Sequence, residues 1–161
     1  MLTYTAKAAL DSTLLNRIIL TTDDEEIKNI GLDLGIEVPF LRPLELSEDG
    51  TPTLPVIQHV LKVLEDSEGY LPNAIVILQP TSPLRTSTHI DEALEIFLKD
   101  DADSLVSVTS MPHNMSPFSA MELNDDGIIT PFLNYDEKNN LWQKKPVFYA
   151  RNGAAIYICT Y

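Results

Sequence analysis

"ILQPTSPLRTSTHIDEAL", residues 77–94, decides how the rest of the chain is read. It begins inside a fully apolar run, Ala74-Ile75-Val76-Ile77-Leu78, which has the length and composition of a buried strand. The run ends at Gln79. Pro80 and Pro83 then frame Thr81 and Ser82, and Arg85 follows. From Ile90 the apolar residues Ile90, Ala93, Leu94, Phe97 and Leu98 recur at the spacing of one helical face. A buried strand that ends on polar groups and passes into an amphipathic helix is a βα unit. In open α/β sheets such strand ends are where ligands sit.

The flanking segments repeat the alternation. Residues 3–12 are predicted helical, with Tyr4, Ala8 and Ala9 on one side. Arg17–Leu20 reads as a short strand. Thr22 or Asp23 is placed to cap the next helix, with Glu25 and Glu26 as capping-box partners; Ile27, Ile30 and Leu34 form its apolar face and Gly35 ends it. Ile36–Phe40 reads as a strand and 41–52 as a loop. Leu54, Ile57, Leu61 and Leu64 then recur at helical spacing, with Pro55 in the first turn. Residues 104–109 form another strand. Asn124-Asp125-Asp126-Gly127 is a hairpin turn between 120–123 and 128–132. Residues 134–146 are polar and irregular, and strand character returns at 147–149 and 154–159 around Asn152-Gly153. The expected architecture is a single three-layer α/β domain with an inserted excursion at 111–146. The chain opens on a helix and stops within strand-like residues, so both ends read as cut.

Composition narrows the function classes. The 161 residues are 44% hydrophobic and 22% charged, ordinary values for a globular domain with a real core. No apolar run approaches the roughly 20 residues of a membrane span, and no leader peptide is visible. The formal charge of -13 argues against a duplex nucleic-acid partner. Cys159 is the one cysteine, so no internal disulfide forms and a reducing, cytoplasmic setting is expected. In its apolar strand it reads as a buried structural thiol. His59, His89 and His113 lack metal-ligand spacing.

With few cations in the chain, those near strand ends carry information. Thr21-Thr22-Asp23, Arg42, Gln79–Arg85 and Arg151-Asn152-Gly153 all fall at such ends. Each has a plain structural reading. Thr22-Asp23 suits a helix cap, Thr81 and Ser82 suit turn amides, Arg42 suits the surface, and Arg85 suits pairing with an acid. Together they form a rim of hydrogen-bonding groups. The Gln79 amide both donates and accepts. Arginine is a planar fork suited to carboxylate and phosphate. The two prolines reduce the cost of ordering the loop around a ligand.

"LTTDDEEI", "FLRPLELSEDGTPT", "ILQPTSPLRTSTHIDEAL", "DSLVSVT" and "NGAAIYI" occur in the order found in acylneuraminate cytidylyltransferases, and the resemblance covers roughly residues 2–160. It implies a Rossmann-like nucleotidyltransferase sandwich in which 111–146 is a dimerisation arm, making the protein a homodimer. It also implies transfer of CMP from CTP to the anomeric hydroxyl of an acylneuraminate-like sugar acid, with release of pyrophosphate and with Mg²⁺ screening the phosphates. By position, Arg42 and Thr53 face the nucleotide and Gln79 lies between nucleotide and sugar. Thr81, Ser82, Asn152 and Tyr157 line the sugar pocket. Gln79 and Arg42 are the residues expected to carry catalysis.

The chain departs from the family pattern in three places. The family's opening strand and Arg/Gly/Ser/Lys-rich phosphate loop precede the residues matched here. Its Asp-x-Asp element, which holds Mg²⁺, lies beyond Tyr161, so no metal ligand is expected within residues 1–161, and this stretch alone is expected to show no turnover. Trp142 stands where the family often has arginine, and Arg151 is the candidate for the missing charge. A different nonulosonate or another sugar acid therefore stays open, as does a non-catalytic nucleotide-sugar-binding or oligomerisation module.

Overall fold

A computed structural model describes residues 1–100, 102–133, 146–151 and 155–161. The chain divides into two compact units, Met1–Ser107 with Gly153–Tyr161, and Val108–Asn152. In the first unit the elements are α1 (Leu2–Leu10), α2 (Glu25–Asp33), α3 (Thr53–Glu68), β1 (Ala74–Ile77), α4 (Ser87–Lys99) and β2 (Ser104–Val106), with β7 (Tyr157–Thr160) returning at the end of the chain. The second unit holds β3 (Val108–Ser110), β4 (Met121–Leu123), β5 (Ile129–Pro131) and β6 (Tyr149–Arg151). Trp142 and Asn152 lie outside the described residues.

The core of the first unit is built on α4. Ile90 is 0% exposed, and Leu94 and Phe97 join it against Ala8 of α1 and Ile156 and Ile158 of the returning strand. The helix starts at Ser87, past the polar loop that follows β1. Thr86 Oγ1 accepts from the His89 N–H, and His89 Nδ1 accepts from the Thr86 N–H at 3.2 Å, a reciprocal cap. Leu98, expected on the apolar face, is exposed, because the buried arc is the narrower stripe at i, i+4 and i+7. On α1 the buried face is Thr5, Ala6, Ala8 and Ala9, whose small side chains fit close to α4, while Tyr4 points to solvent.

The sheet runs β1-β7-β2, with β7 antiparallel to both neighbours. β1 and β2 are therefore parallel to each other, joined through α4, as expected of a βα unit. Its registers pair Ile77 with Tyr157 and Val106 with Tyr157, so one residue marks the end of both ladders. The strand expected over 104–109 is broken at Ser107. There the Ser107 N–H donates to the Ile156 carbonyl at 3.0 Å, and the Ser107 hydroxyl accepts from the Ile156 N–H at 3.1 Å. A side-chain oxygen thus substitutes for a ladder carbonyl as the chain turns away. Cys159 is half-buried in β7 rather than fully enclosed, since it faces away from its buried neighbour Ile158.

The segments 17–20 and 36–40 were expected as strands. They meet at a single parallel bridge, Ile19 with Glu37, flanked by Leu20 N–H to Glu37 O at 2.9 Å and Glu37 N–H to Ile18 O at 3.2 Å. Arg17 secures them from the side. Its guanidinium pairs with Glu37 at 2.6 Å and Glu68 at 2.7 Å and stacks on the Tyr70 ring. The cap of α2 is Asp24, one residue beyond the expected pair. Its carboxylate accepts from the Ile27 N–H at 2.9 Å, while Thr22 Oγ1 accepts from the Asp24 N–H. Ile27 and Ile30 of the expected apolar face remain exposed, and the buried contact of α2 is Gly31 instead. A Cβ at Gly31 would lie 2.5 Å from the Leu20 side chain and 3.2 Å from Val38, so glycine lets the helix approach the strand-like pair. In α3, Val56 and Leu64 are buried and Leu54 is exposed.

The second unit is a pair of two-stranded ladders, β3 with β6 and β4 with β5. The β4–β5 turn matches the Asn-Asp-Asp-Gly signal. Gly127 takes φ +76°, and Asn124 Oδ1 accepts from the Ile128 N–H at 2.8 Å. Phe118 and Phe148 meet edge to face at 5.3 Å. Much of the remaining apolar surface is exposed, including Met121, Leu123, Ile129, Phe132 and Tyr149.

Candidate active site

The first unit contains a concavity of about 430 Å³, walled by Leu20, Thr21 and Thr22 on one side, Ile27 and Ile30 of α2, the start of α1, and Pro80 on the other. It joins two of the strand ends singled out from sequence. The lining is largely apolar with a few hydroxyls, as expected of a small-molecule site. Thr21 Oγ1 is buried there with no hydrogen-bond partner among the described residues, a hydroxyl with unspent capacity.

Arg42 belongs to this region through its backbone. Its N–H donates to the Thr22 carbonyl at 2.8 Å, while its guanidinium donates to Ser47 Oγ at 2.9 Å and to Asp23 at 3.2 Å. Asp23, weighed in the sequence as part of a helix cap, is instead the counter-charge of Arg42. Such a half-exposed pair contributes little to stability and holds the arginine loosely. Thr53 is exposed in the first turn of α3.

Gln79 and Ser82 are half-buried just past β1, and Thr81 between them is exposed. Tyr157 stands directly across the ladder from Ile77, two residues before Gln79, so Gln79 and Tyr157 flank the same sheet edge. Arg151 is exposed in β6 of the second unit, opposite Val108.

Arg85 is not the rim cation or acid partner expected from sequence. It is 6% exposed, and its guanidinium donates to three neutral oxygens: the Ala155 carbonyl, Thr5 Oγ1 at 3.0 Å and the Gln79 carbonyl at 3.1 Å. Its Nε has no hydrogen-bond partner among the described residues. Among the described residues no carboxylate pairs with it, and burial pulls its pKa below the ordinary arginine value. Nothing local in the sequence reveals this, because two of the acceptors are 80 and 70 residues away.

Among the described residues no group of three or more His, Cys, Asp or Glu side chains converges to hold a metal ion. No helix among the described residues is long and apolar enough to cross a membrane.

The concavity brings Thr21 and Thr22 together with Pro80 at two strand ends, the place where ligands bind in open α/β sheets. The chain belongs to the cytidylyltransferase family, whose model matches residues 1–159. It is 33% identical over 156 residues to an N-acylneuraminate cytidylyltransferase of Streptococcus agalactiae, covering 96% of this chain and 36% of the relative. A protein of the same name from Escherichia coli is 34% identical over 155 residues, covering 96% of this chain and 35% of the relative. The CMP-N,N'-diacetyllegionaminic acid synthase of Legionella pneumophila is 29% identical, covering 99% of this chain and 66% of the relative. Against the first two, the chain spans about a third of the relative's length. In fold it is similar to CMP:2-keto-3-deoxy-manno-octonic acid synthetase, solved in complex with CTP. The TM-score is 0.62 at 14% identity, over 98% of this chain and 61% of that one.

Proposed function

We propose that this protein is a cytidylyltransferase for a nonulosonic sugar acid. The anomeric hydroxyl of the sugar attacks the α-phosphorus of CTP. A new P–O bond forms, the bond to the bridging oxygen of the β-phosphate breaks, pyrophosphate leaves, and the hydroxyl proton passes to solvent. Such transfer depends on alignment and charge stabilisation more than on covalent help. The observation that carries the reading is the Gln79–Ser82 strand end, held by two prolines and a buried arginine within a chain of the cytidylyltransferase family.

In this reading Arg42 and Thr53 face the nucleotide, with Arg42 exchanging Asp23 for phosphate or base. The Gln79 amide sits between the substrates. Thr81, Ser82, Asn152 and Tyr157 line the sugar pocket, and Arg151 supplies a cation for the sugar carboxylate. Relatives named for acylneuraminate, pseudaminic acid and diacetyllegionaminic acid support the nonulosonic class. The arm 111–146 forms the dimer contact, a role supported by its exposed Met121, Leu123, Ile129 and Phe132.

The test is pyrophosphate release by the full-length protein from CTP, UTP, ATP or GTP, each with a panel of nine-carbon sugar acids and an eight-carbon keto acid. Release confined to CTP and a nine-carbon acid supports the reading. Release with the eight-carbon acid alone moves the substrate to that class. No release with any pair supports a binding module instead.

A further inference from the structure

The β1–β7 ladder stops at Ile77 and Tyr157. Continued by the same register, it would bring Gln79 opposite Ala155. Those are the two residues whose main-chain carbonyls receive the Arg85 guanidinium, and the same side chain also reaches Thr5 of α1. On its other edge the Ser107 hydroxyl takes up the Ile156 N–H. On the β1 edge the strand has no ladder bond at the level where the candidate site begins, and Arg85 ties it; on the β2 edge a side chain replaces one ladder bond while the Ser107 N–H still reaches the Ile156 carbonyl at 3.0 Å. A charged group 94% removed from solvent, with neither a counter-charge nor an Nε hydrogen-bond partner among the described residues, is costly to keep. A methionine or leucine would fill such space without that penalty, so packing alone does not account for an arginine here.

We propose that Arg85 is a positioning residue that splices the frayed end of the β1–β7 ladder, fixing the Gln79 backbone against Ala155 and α1 so that the Gln79 amide is aimed between the two substrates. Two strands must separate to admit a ligand, yet the residue at the fork must not wander. A misplacement of about 1 Å in a reacting pair costs on the order of a hundredfold in rate. A guanidinium can span the gap where direct N–H···O=C bonding has ended, because its donors are spread over a rigid fork. Ala155 leads into Tyr157, so the same splice sets the entry of the β7 side of the site.

This inference rests on the proposed function for its kinetic part only, and the experiment separates the two. Arg85→Met, Arg85→Lys, Gln79→Ala and the Arg85→Met/Gln79→Ala double variant are made in the full-length protein. Hydrogen exchange is followed by mass spectrometry, and cytidylyl transfer is assayed where wild type supports it. The expected result is faster exchange confined to segments 76–79 and 155–158 in Arg85→Met, with partial recovery in Arg85→Lys. In turnover, kcat is expected to fall on the order of a hundredfold in Arg85→Met, with the KM for CTP little changed, and by only a few-fold further when Arg85→Met is added to Gln79→Ala. Losses that multiply in the double variant overturn the role toward Gln79. Unchanged or uniformly raised exchange in both Arg85 variants overturns the splice itself. If Arg85→Met does not fold, Arg85→Lys against wild type decides the same two points. A wild type without transfer defeats the proposed function and the role toward substrates with it, while the exchange data still decide the splice.

Discussion

Arg42 and Asp23 are joined across 19 residues of sequence. The Arg42 guanidinium donates to the Asp23 carboxylate at 3.2 Å while the Arg42 N–H holds the Thr22 carbonyl at 2.8 Å. The backbone bond fixes the residue beside the concavity, and the loose side-chain pair leaves the cation exchangeable. Arg42→Ala is expected to weaken CTP binding by about 1–3 kcal/mol, the range for a lost charge-assisted hydrogen bond. Asp23→Asn, which removes the competitor, is expected to bind CTP at least as tightly as wild type. Calorimetric titration of the full-length protein checks both. Unchanged affinity in Arg42→Ala takes this residue out of the nucleotide site.

Gln79 offers a second separation of structure from chemistry. Arg85 binds its main-chain carbonyl, not its side chain, so Gln79→Ala keeps that bond. Turnover is expected to fall by at least tenfold while the melting temperature moves by no more than a degree or two, a surface-type effect. A fall in melting temperature with full activity per folded molecule would assign the amide a purely structural role.

Two carboxylates make stability depend on acid. Arg17 holds the Glu68 carboxyl below its usual range by hydrogen bonding to it, and donors from Ser12 and Thr13 do the same for Asp91. A folded-state value below the unfolded one means stabilisation that is present above the ordinary carboxylate range, about pH 4, and is lost as the pH falls through the folded value. Glu68→Gln and Asp91→Asn are each expected to lower the melting temperature at pH 7, with the difference from wild type shrinking toward zero below about pH 4. The Glu68 effect is also expected to weaken in high salt, because that pair is exposed. A difference that stays constant with pH would contradict the pairing.

The second unit exposes more apolar surface than its two short ladders can use. Leu123 and Phe132 protrude beside the β4–β5 pairing, and Met121 is its neighbour in register with Pro131. If this face meets a copy of itself, the protein is a dimer at micromolar concentration by light scattering, and Leu123→Asp shifts it to monomer without loss of secondary structure. A wild-type monomer under those conditions contradicts the dimer arm.

What the sequence made readable was local. The α4 stripe, the Gln79 strand end and the Asn124–Gly127 turn each declare themselves within a dozen residues, through periodicity or backbone preference. The misreadings came from contacts at long range or from one-residue offsets. Asp24 caps α2 because Thr22 already serves the Asp24 N–H, which leaves Asp23 for Arg42. Ile27 and Ile30 have helical spacing yet stay exposed, since α2 meets the Leu20–Val38 pair through Gly31. Arg85 looked like a rim cation because its three acceptors come from α1, the β1 end and the residue before Ile156, and nothing within its own loop points to a buried position.

The most direct measurement is phosphorus NMR of full-length protein incubated with CTP and a nine-carbon sugar acid, run beside Gln79→Ala. The expected result is paired growth of pyrophosphate and a single new phosphodiester resonance with wild type, at a rate at least tenfold above the variant, and neither signal when UTP replaces CTP. Pyrophosphate without the phosphodiester, or equal product from wild type and Gln79→Ala, would contradict a cytidylyl transfer organised at the Gln79 strand end.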